Sequence, residues 1–163
     1  MNKLRPATSA DFPAIMAIWN PLIRATTVTF STEEKTPESL AEMIDSRRRA
    51  GHAFLVAERA GVVMGLATYA QFRGGNGYVH AFEHTIILAP QAQGKGVGRD
   101  LMAAIEAHAR AAGGHVMVAG ISGENTAGLA FHAALGYVET GRMPETGRKF
   151  GRWLDLVLMQ KTL

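Results

Sequence analysis

The chain of 163 residues contains no cysteine. This absence excludes a disulfide framework, a cysteine-ligated zinc or iron–sulfur site and a thiol nucleophile. The sequence also has no uninterrupted apolar run near the length of about 18 residues that a membrane-spanning helix needs. Its first twelve residues lack the apolar stretch of a signal peptide. We therefore expect a cytoplasmic protein that does not enter a membrane.

The sequence also lacks a large excess of either sign of charge. The 17 basic and 14 acidic residues leave a net charge of +3, which suits an anionic ligand but is too small to indicate nucleic-acid binding. Hydrophobic residues make up 47 % of the chain, an ordinary globular proportion. Because no repeat or linker interrupts the sequence, we expect residues 1–163 to form a single domain.

Hydrophobic periodicity predicts alternating helices and strands. The predicted order is two helices, three strands, a helix, a strand, a helix and two strands. Strand–helix–strand order in the second half favours some parallel pairing, whereas the hairpins favour antiparallel pairing. These patterns indicate an α/β protein with a mixed central sheet and helices on both faces. The predicted helices cover about 12–22, 37–49, 94–113 and 126–135, and the predicted strands cover about 53–59, 62–72, 78–88, 116–121, 137–142 and 153–160.

A glycine-rich loop connects the third predicted strand to the third predicted helix. Residues 86–99 read IILAPQAQGKGVGR. Glycines at a helix start leave backbone N–H groups accessible, and these groups with the helix dipole favour a phosphate. The dinucleotide pattern G-x-G-x-x-G fails because residue 99 is Arg, and the nucleoside-triphosphate loop also fails. A glycine-rich turn without a ligand remains the alternative.

Two motifs resemble the GNAT N-acetyltransferase superfamily. The segment from Gln93 to Gly98 fits its Q/R-x-x-G-x-G/A signature. Asn125-x-x-Gly128, with Phe131-His132 and Gly136-Tyr137, is similar to its pattern N-x-x-A…L-Y…G-F. The resemblance implies a mostly antiparallel, twisted sheet and acetyl-coenzyme A as co-substrate. It assigns coenzyme binding to Ile86, Ile87, Leu88, Gln93, Gly94, Lys95, Gly96, Val97, Gly98, Arg99 and Asn125.

A narrower resemblance concerns the chemistry. FEHTI around Glu83, the histidine at 132 and the ending GRKFGRWLD are similar to phosphinothricin and methionine sulfoximine acetyltransferases. That similarity implies acetyl transfer to the α-amine of a small amino-acid analogue, and a homodimer. We expect the transfer to be direct, because the chain has no cysteine and no Ser/His/Asp arrangement stands out. The similarity makes Glu83 the general base and His132 catalytic, in the position where most GNAT members have a tyrosine. Whether His132 acts as acid or base stays open, and a hydrogen-bonded structural role remains the alternative for Glu83.

His80, Glu83 and His84 also match the metallopeptidase pattern H-x-x-E-H. That pattern needs both histidines on one face of a helix, where four residues rise only about 6 Å. On a strand the same residues span about 13 Å, which is too far for one ion. The β-branched and aromatic residues here favour a strand, so we expect no metal.

Five residues are predicted to contact the acceptor: Phe30, Tyr69, Phe72, Arg73 and Lys149. An amino-acid substrate offers a carboxylate, and Arg73 is the predicted partner for it because arginine supplies two donors. Phe30, Tyr69 and Phe72 are predicted apolar walls of the substrate site. Lys149 lies in the final hairpin, which in the resembled subfamily approaches the neighbouring subunit's site. The alternatives are acetylation of another small amine or a peptide N-terminus, or a non-catalytic acyl-coenzyme A sensor.

Overall fold

Seven strands form one sheet in the structure, a computed structural model that describes residues 1–163. The strand order is β1-β2-β3-β4-β5-β7-β6. The strands are β1 (Lys3–Pro6), β2 (Phe54–Arg59), β3 (Val62–Gln71), β4 (Ala81–Leu88), β5 (Val116–Ser122), β6 (Val138–Lys149) and β7 (Arg152–Thr162). The helices are α1 (Phe12–Ala25), α2 (Pro37–Arg49), α3 (Val97–Ala111) and α4 (Thr126–Ala134).

The only parallel pairing in the sheet joins β4 to β5, and it is short. It covers residues 81–83 of β4 and 116–118 of β5, while every other neighbouring pair of strands is antiparallel. Beyond these three positions β4 continues to Leu88 and β5 to Ser122 without pairing to each other. The C-terminal halves of the two strands therefore diverge and leave a gap inside the sheet.

Helices cover both faces of the sheet, as predicted. On one face α1 and α2 pack on apolar side chains of β2, β3 and β4, with Ile15, Trp19 and Leu40 at the centre. On the other face α3 carries Leu101 and Ile105 into a larger core, against which α4 also packs. The predicted mixed, mostly antiparallel α/β fold is confirmed.

Local sequence explains where two helices begin. Thr36 caps α2 by accepting a hydrogen bond from the Ser39 N–H at 3.1 Å, and Pro37 occupies the favoured first position. Asn125 caps α4 because its Oδ1 accepts the Gly128 N–H at 2.9 Å. Both caps satisfy backbone donors that a helix start otherwise leaves unpaired.

The structure adds one strand and moves two predicted strand boundaries. Strand β1 was not predicted, because four residues with two basic side chains and a proline carry no apolar alternation, yet they pair with β2. Strand β4 begins at Ala81 and not at residue 78, because residues 76–78 form a short 3-10 turn. Strand β6 continues to Lys149, past two register shifts. No helix has the length and apolar character needed to cross a membrane.

Candidate active site

A cavity of about 970 Å³ opens at the gap between β4 and β5. This volume lies within the usual range for small-molecule sites, about 300–1,000 Å³. Its walls come from both sides of the sheet: α1 and the segment after it on one side, and the starts of α3 and α4 on the other. The diverging strands supply its floor. The gap therefore lets one ligand contact both faces of the sheet.

One end of the cavity is the glycine-rich loop. Gly96, with a left-handed φ of 75°, precedes α3, and no side chain caps that helix start. Gly94 is also left-handed, with φ at 70°. The first N–H groups of α3 have no partner within the helix, and the helix dipole adds partial positive charge there. Together with the Arg99 side chain, this end forms a cradle for a phosphate group.

Glu83 lies deeper in the cavity, on β4 just where the pairing with β5 stops. No hydrogen bond or ion pair engages its carboxylate, although Oε1 faces Gly120 of β5. Burial by the surrounding protein raises the pKa of Glu83 above its usual value. The side chain nevertheless stays open to solvent through the cavity. A solvent-accessible carboxylate with a raised pKa and no partner is suited to accept a proton.

His132 and His84 face each other at the opposite wall of the cavity. Their Nε2 atoms lie 3.1 Å apart, and the rings stack with centroids at 5.0 Å. The other ring nitrogen of His132, Nδ1, lies 2.7 Å from the Gly128 carbonyl oxygen. Burial lowers the pKa of His132, and it lowers the pKa of His84 to about 3. The surroundings therefore favour the neutral form of both imidazoles.

The segment between α1 and α2 forms the wall that carries Phe30. Lys149 of β6 holds this segment, because its ammonium donates to the carbonyl oxygens of Thr26 at 2.6 Å and Thr29 at 2.7 Å. Thr26 is the C-cap of α1, where a cation interacts favourably with the helix dipole. The ring of Phe30 lies against Gly147, so closely that a methyl group there would overlap it. Strand β6 therefore sets the position of this wall.

The cavity brings together most of the residues predicted from the sequence. Its lining includes the candidate catalytic pair, the predicted coenzyme contacts except one, and one predicted substrate wall: Glu83, His132, Ile86, Ile87, Leu88, Gln93, Gly94, Gly96, Val97, Gly98, Arg99, Asn125 and Phe30. Lys95 belongs to the same loop, but its side chain points to solvent and does not line the cavity. The lining residues lie together because most of them belong to β4, the glycine-rich loop and the start of α3, which follow one another in the chain, and the others to the start of α4.

Two predicted substrate contacts, Tyr69 and Lys149, lie outside the cavity lining with their polar groups already bonded. Tyr69 is 1 % exposed and packs in the core under α3, where its hydroxyl bonds His108 Nδ1 at 2.7 Å. It lies on the face of the sheet opposite α1, which strand alternation alone could not decide. Lys149 is 3 % exposed, and its ammonium is occupied by the two backbone carbonyls, so it is not free for a substrate carboxylate.

Phe72 and Arg73 lie outside the cavity lining, on the loop between β3 and β4. Ala70 pairs with Glu83 across the two strands, so Arg73 follows only three residues beyond the partner of Glu83. The Arg73 side chain is exposed, has no carboxylate partner, and lies over the Tyr78 ring at 5.4 Å. Arg73 thus lies at the end of the sheet where β4 begins, and its guanidinium is available to an anion.

Sequence reasoning missed the contribution of β5 and α1 to the site. Gly120, Ile121 and Ser122 line the cavity, as do Trp19 and Leu22. The β5 residues face the cavity only because β5 diverges from β4 after their short pairing. The sequence of β5 alone does not indicate this divergence. From Ala81 onward the segment His80-x-x-Glu83-His84 forms strand β4, and His80 precedes it in a turn. The two histidines have separate partners: His80 contacts the Gly113 carbonyl and His84 contacts His132.

The cavity fits a long phosphorylated ligand that enters between two strands, and comparison with known proteins identifies the family. Residues 17–137 match the acetyltransferase (GNAT) family. The chain belongs to the GNAT family. Its fold, its glycine-rich loop and the gap between β4 and β5 are therefore those of a GNAT acetyltransferase.

Relatives of this GNAT chain span almost its whole length. It is 41 % identical to the L-amino acid N-acyltransferase MnaT of Escherichia coli K12, with 98 % of this chain and 93 % of that protein covered. It is 42 % identical to an L-methionine sulfoximine/L-methionine sulfone acetyltransferase of Pseudomonas aeruginosa, covering 98 % and 94 %. A phosphinothricin acetyltransferase of Sinorhizobium meliloti, solved with acetyl-coenzyme A, superimposes with a TM-score of 0.92 at 32 % identity, covering 99 % and 88 %.

Proposed function

We propose that this protein transfers the acetyl group of acetyl-coenzyme A to the α-amine of a small amino acid or amino-acid analogue. The observation that carries the proposal is the unpaired Glu83 carboxylate with a raised pKa, in a cavity whose other end is a phosphate cradle. The named activities of the relatives, which act on L-amino acids, methionine sulfoximine and phosphinothricin, support the acceptor class.

The residues present fit acetyl-coenzyme A. The uncapped start of α3 and Arg99 would hold the pyrophosphate through backbone N–H groups and charge. The unpaired edge of β4 over residues 86–88 offers backbone groups to the pantetheine arm. Asn125 lies at the same wall. When bound, the coenzyme supplies the thioester carbonyl that an amine can attack.

Glu83 is the proposed general base. An amino acid carries its α-amine as an ammonium near neutral pH, and only the neutral amine is a nucleophile. Glu83 accepts the proton that the ammonium must lose, directly or through a water, because its raised pKa brings it closer to that of the amine. Overall, a nitrogen–carbon bond forms and the carbon–sulfur bond breaks. Of the three protons of the ammonium, one stays on the amide nitrogen, one ends on the sulfur of the free thiol, and one is released to solvent.

The acceptor is proposed to enter at the Glu83 end, beside the α1 side of the sheet. Trp19, Leu22 and Phe30 give that part of the cavity an apolar wall. Arg73 is the proposed partner of the acceptor's carboxylate, from its exposed place on the β3–β4 loop. Replacing Arg73 with Ala should raise the KM for carboxylate-bearing acceptors. An unchanged KM would remove Arg73 from the site.

Release of free thiol from acetyl-coenzyme A tests the function directly. The acceptor panel contains methionine sulfoximine, phosphinothricin, ordinary L-amino acids, polyamines and short peptides. Turnover with amino acids or their analogues is the expected result. Turnover only with polyamines or peptides would overturn the acceptor class. Binding of acetyl-coenzyme A without turnover on any amine would replace the proposal with a sensor role.

We further propose that residues 1–163 act as one domain, as a homodimer and in the cytoplasm, where acetyl-coenzyme A is available. One continuous sheet from β1 to β7 supports the single domain. Apolar side chains exposed on the β6–β7 hairpin and edge support the dimer, among them Val138, Phe150 and Trp153. Light scattering coupled to gel filtration checks the oligomeric state, and a monomer at assay concentration would refute the dimer.

A further inference from the structure

The His84–His132 pair is a built feature whose role is left open when Glu83 is the general base. His84 lies on β4 and is 8 % exposed, and His132 lies on α4 and is 5 % exposed. The two positions are 48 residues apart in the chain, yet their Nε2 atoms meet at 3.1 Å. Both side chains also reach the cavity wall. Their protonation therefore affects the chemistry that the cavity can support.

Hydrogen-bond chemistry assigns the protons of this pair. A carbonyl oxygen only accepts, so the Nδ1 of His132, 2.7 Å from the Gly128 oxygen, must carry a hydrogen. In a neutral imidazole the Nε2 of His132 is then a lone pair. The short contact between the two Nε2 atoms requires one hydrogen, which His84 must provide. The neutral pair is therefore His84 Nε2–H donating to His132 Nε2.

The surroundings oppose any additional proton on the pair. If His132 became an imidazolium, its Nε2–H would meet the Nε2–H of His84, and His84 would have to move its own hydrogen to Nδ1. That Nδ1 atom is buried and has no hydrogen-bond partner. His84 would thus exchange a satisfied donor for an unsatisfied one. Protonation of His132 therefore requires His84 to rearrange.

No acid contacts either imidazole to stabilise a positive charge. Tyr137 packs edge-on against both rings, but its hydroxyl donates to Glu106 of α3 at 2.9 Å. Glu106 also accepts from Lys161 of β7 at 2.6 Å, so its carboxylate is already paired. The remaining ring against His132 is Phe131, which is apolar. Glu106 still favours a positive charge on His132, as does the bond to Gly128, but burial outweighs both and the pKa of His132 is lowered.

We propose that His84 is a positioning residue that holds His132 as the neutral Nδ1–H tautomer. The single N–H of His132 is committed to Gly128, so His132 offers no proton to the leaving sulfur in this arrangement. Its Nε2 lone pair accepts the hydrogen of His84 Nε2, so the reaction can use that lone pair only when the bond to His84 opens. The effect on turnover rests on the proposed acetyl transfer, whereas the tautomer does not.

The tautomer is tested on the whole protein without any acceptor. Two-bond proton–nitrogen correlation spectra of the 15N-labelled histidine side chains distinguish protonated from unprotonated ring nitrogens. Near pH 7 we expect protonated Nδ1 and bare Nε2 for His132, and the reverse for His84. A protonated Nε2 on His132, or an imidazolium, would overturn the proposal. The His115→Gln variant, changed at an exposed histidine, serves as the assignment control.

Two variants separate the donor role of His84 from its volume. Gln keeps an N–H donor at about the reach of Nε2, and Leu keeps bulk without a donor. We expect His84→Leu to lower kcat about tenfold, because His132 loses the donor that fixes its orientation and its neutral form. His84→Gln should retain most of the wild-type kcat and the bare Nε2 signal of His132. Equal losses in both variants would overturn the positioning role.

The two proposals fail in distinguishable ways. If the wild-type protein acetylates no amine while the spectra show the expected tautomers, the proposed function fails and the assignment of the histidine pair stands. If turnover is normal while His132 carries its hydrogen on Nε2, the function stands and the positioning role of His84 is refuted.

Discussion

Glu83 combines an open carboxylate with an unfavourable environment for its charge. The Glu83→Gln substitution keeps the shape of the side chain and removes the base. We expect kcat to fall by about 10²-fold or more, the usual range for a positioned proton acceptor. The affinity for acetyl-coenzyme A should stay the same, since the phosphate cradle lies at the other end of the cavity. Thiol release and calorimetry measure the two quantities, with Glu38→Gln on exposed α2 surface as the control. An unchanged kcat would exclude Glu83 as the base.

The raised pKa of Glu83 also predicts two opposite pH dependences. Catalysis needs the carboxylate, so kcat should decline as the pH falls through this raised pKa, and Glu83→Gln should lack that limb. Folding favours the protonated acid, because a folded-state pKa above the unfolded value contributes stability that is lost as the pH rises through it. Glu83→Gln should therefore be more stable than wild type near neutral pH and lose that advantage in acid. Thermal unfolding across pH checks the sign, and a less stable variant at neutral pH would contradict it.

At the scale of elements, β6 determines where the acceptor wall lies. Gly147 permits the ring of Phe30 to pack directly on the strand, and a methyl group there would overlap that ring. We expect Gly147→Ala to displace Phe30 and raise the acceptor KM several-fold, with little effect on acetyl-coenzyme A. Gly141→Ala is the matched control on the same strand, because a methyl group there meets nothing within 4 Å. Similar acceptor KM values in the two variants would disprove the role of β6.

Lys149 contributes to the same wall through backbone carbonyls. The Lys149→Met variant keeps the apolar stem but leaves the carbonyl groups of Thr26 and Thr29 without their donor. Loss of a donor to a buried acceptor costs about 1–3 kcal/mol of unfolding free energy, and these two carbonyl groups are partly buried, which favours the lower end. We expect a loss of stability of that order and a raised acceptor KM, measured by denaturant unfolding and steady-state kinetics. A raised KM without any change in stability would instead indicate direct contact with the acceptor.

The sequence predicts those parts of the site that lie close together along the chain. The β4 strand, the glycine-rich loop and the start of α3 form one continuous segment, and both Glu83 and the phosphate cradle fall in it. Contacts between segments that lie far apart in the chain could not be predicted from the sequence. Lys149 meets Thr26 across 123 positions, and His84 meets His132 across 48. The alternating pattern predicts that Tyr69 lies on a strand, but it does not show which face of the sheet Tyr69 occupies. Its burial in the core was therefore not predicted.

At the scale of the whole molecule, the gap between β4 and β5 is both a binding site and a missing part of the sheet. Backbone groups on the β5 side of residues 84–88 have no strand partner, because the pairing ends at Glu83. A ligand that fills this gap binds only the folded state and therefore raises the Tm. The molecule should thus gain stability from acetyl-coenzyme A as a whole and gain hydrogen-exchange protection at the gap in particular.

Hydrogen exchange with two ligands separates the two ends of the cavity. Acetyl-coenzyme A should slow exchange in residues 93–99 and also in 84–88 and 119–122, since its pantetheine arm reaches between the strands. Adenosine 3′-phosphate 5′-diphosphate, which lacks that arm, should protect the glycine-rich loop alone. The peptide covering α2, which does not border the cavity, serves as the internal reference. Equal protection of residues 84–88 by both ligands would mean that the gap closes without the arm, and that β4 does not bind it.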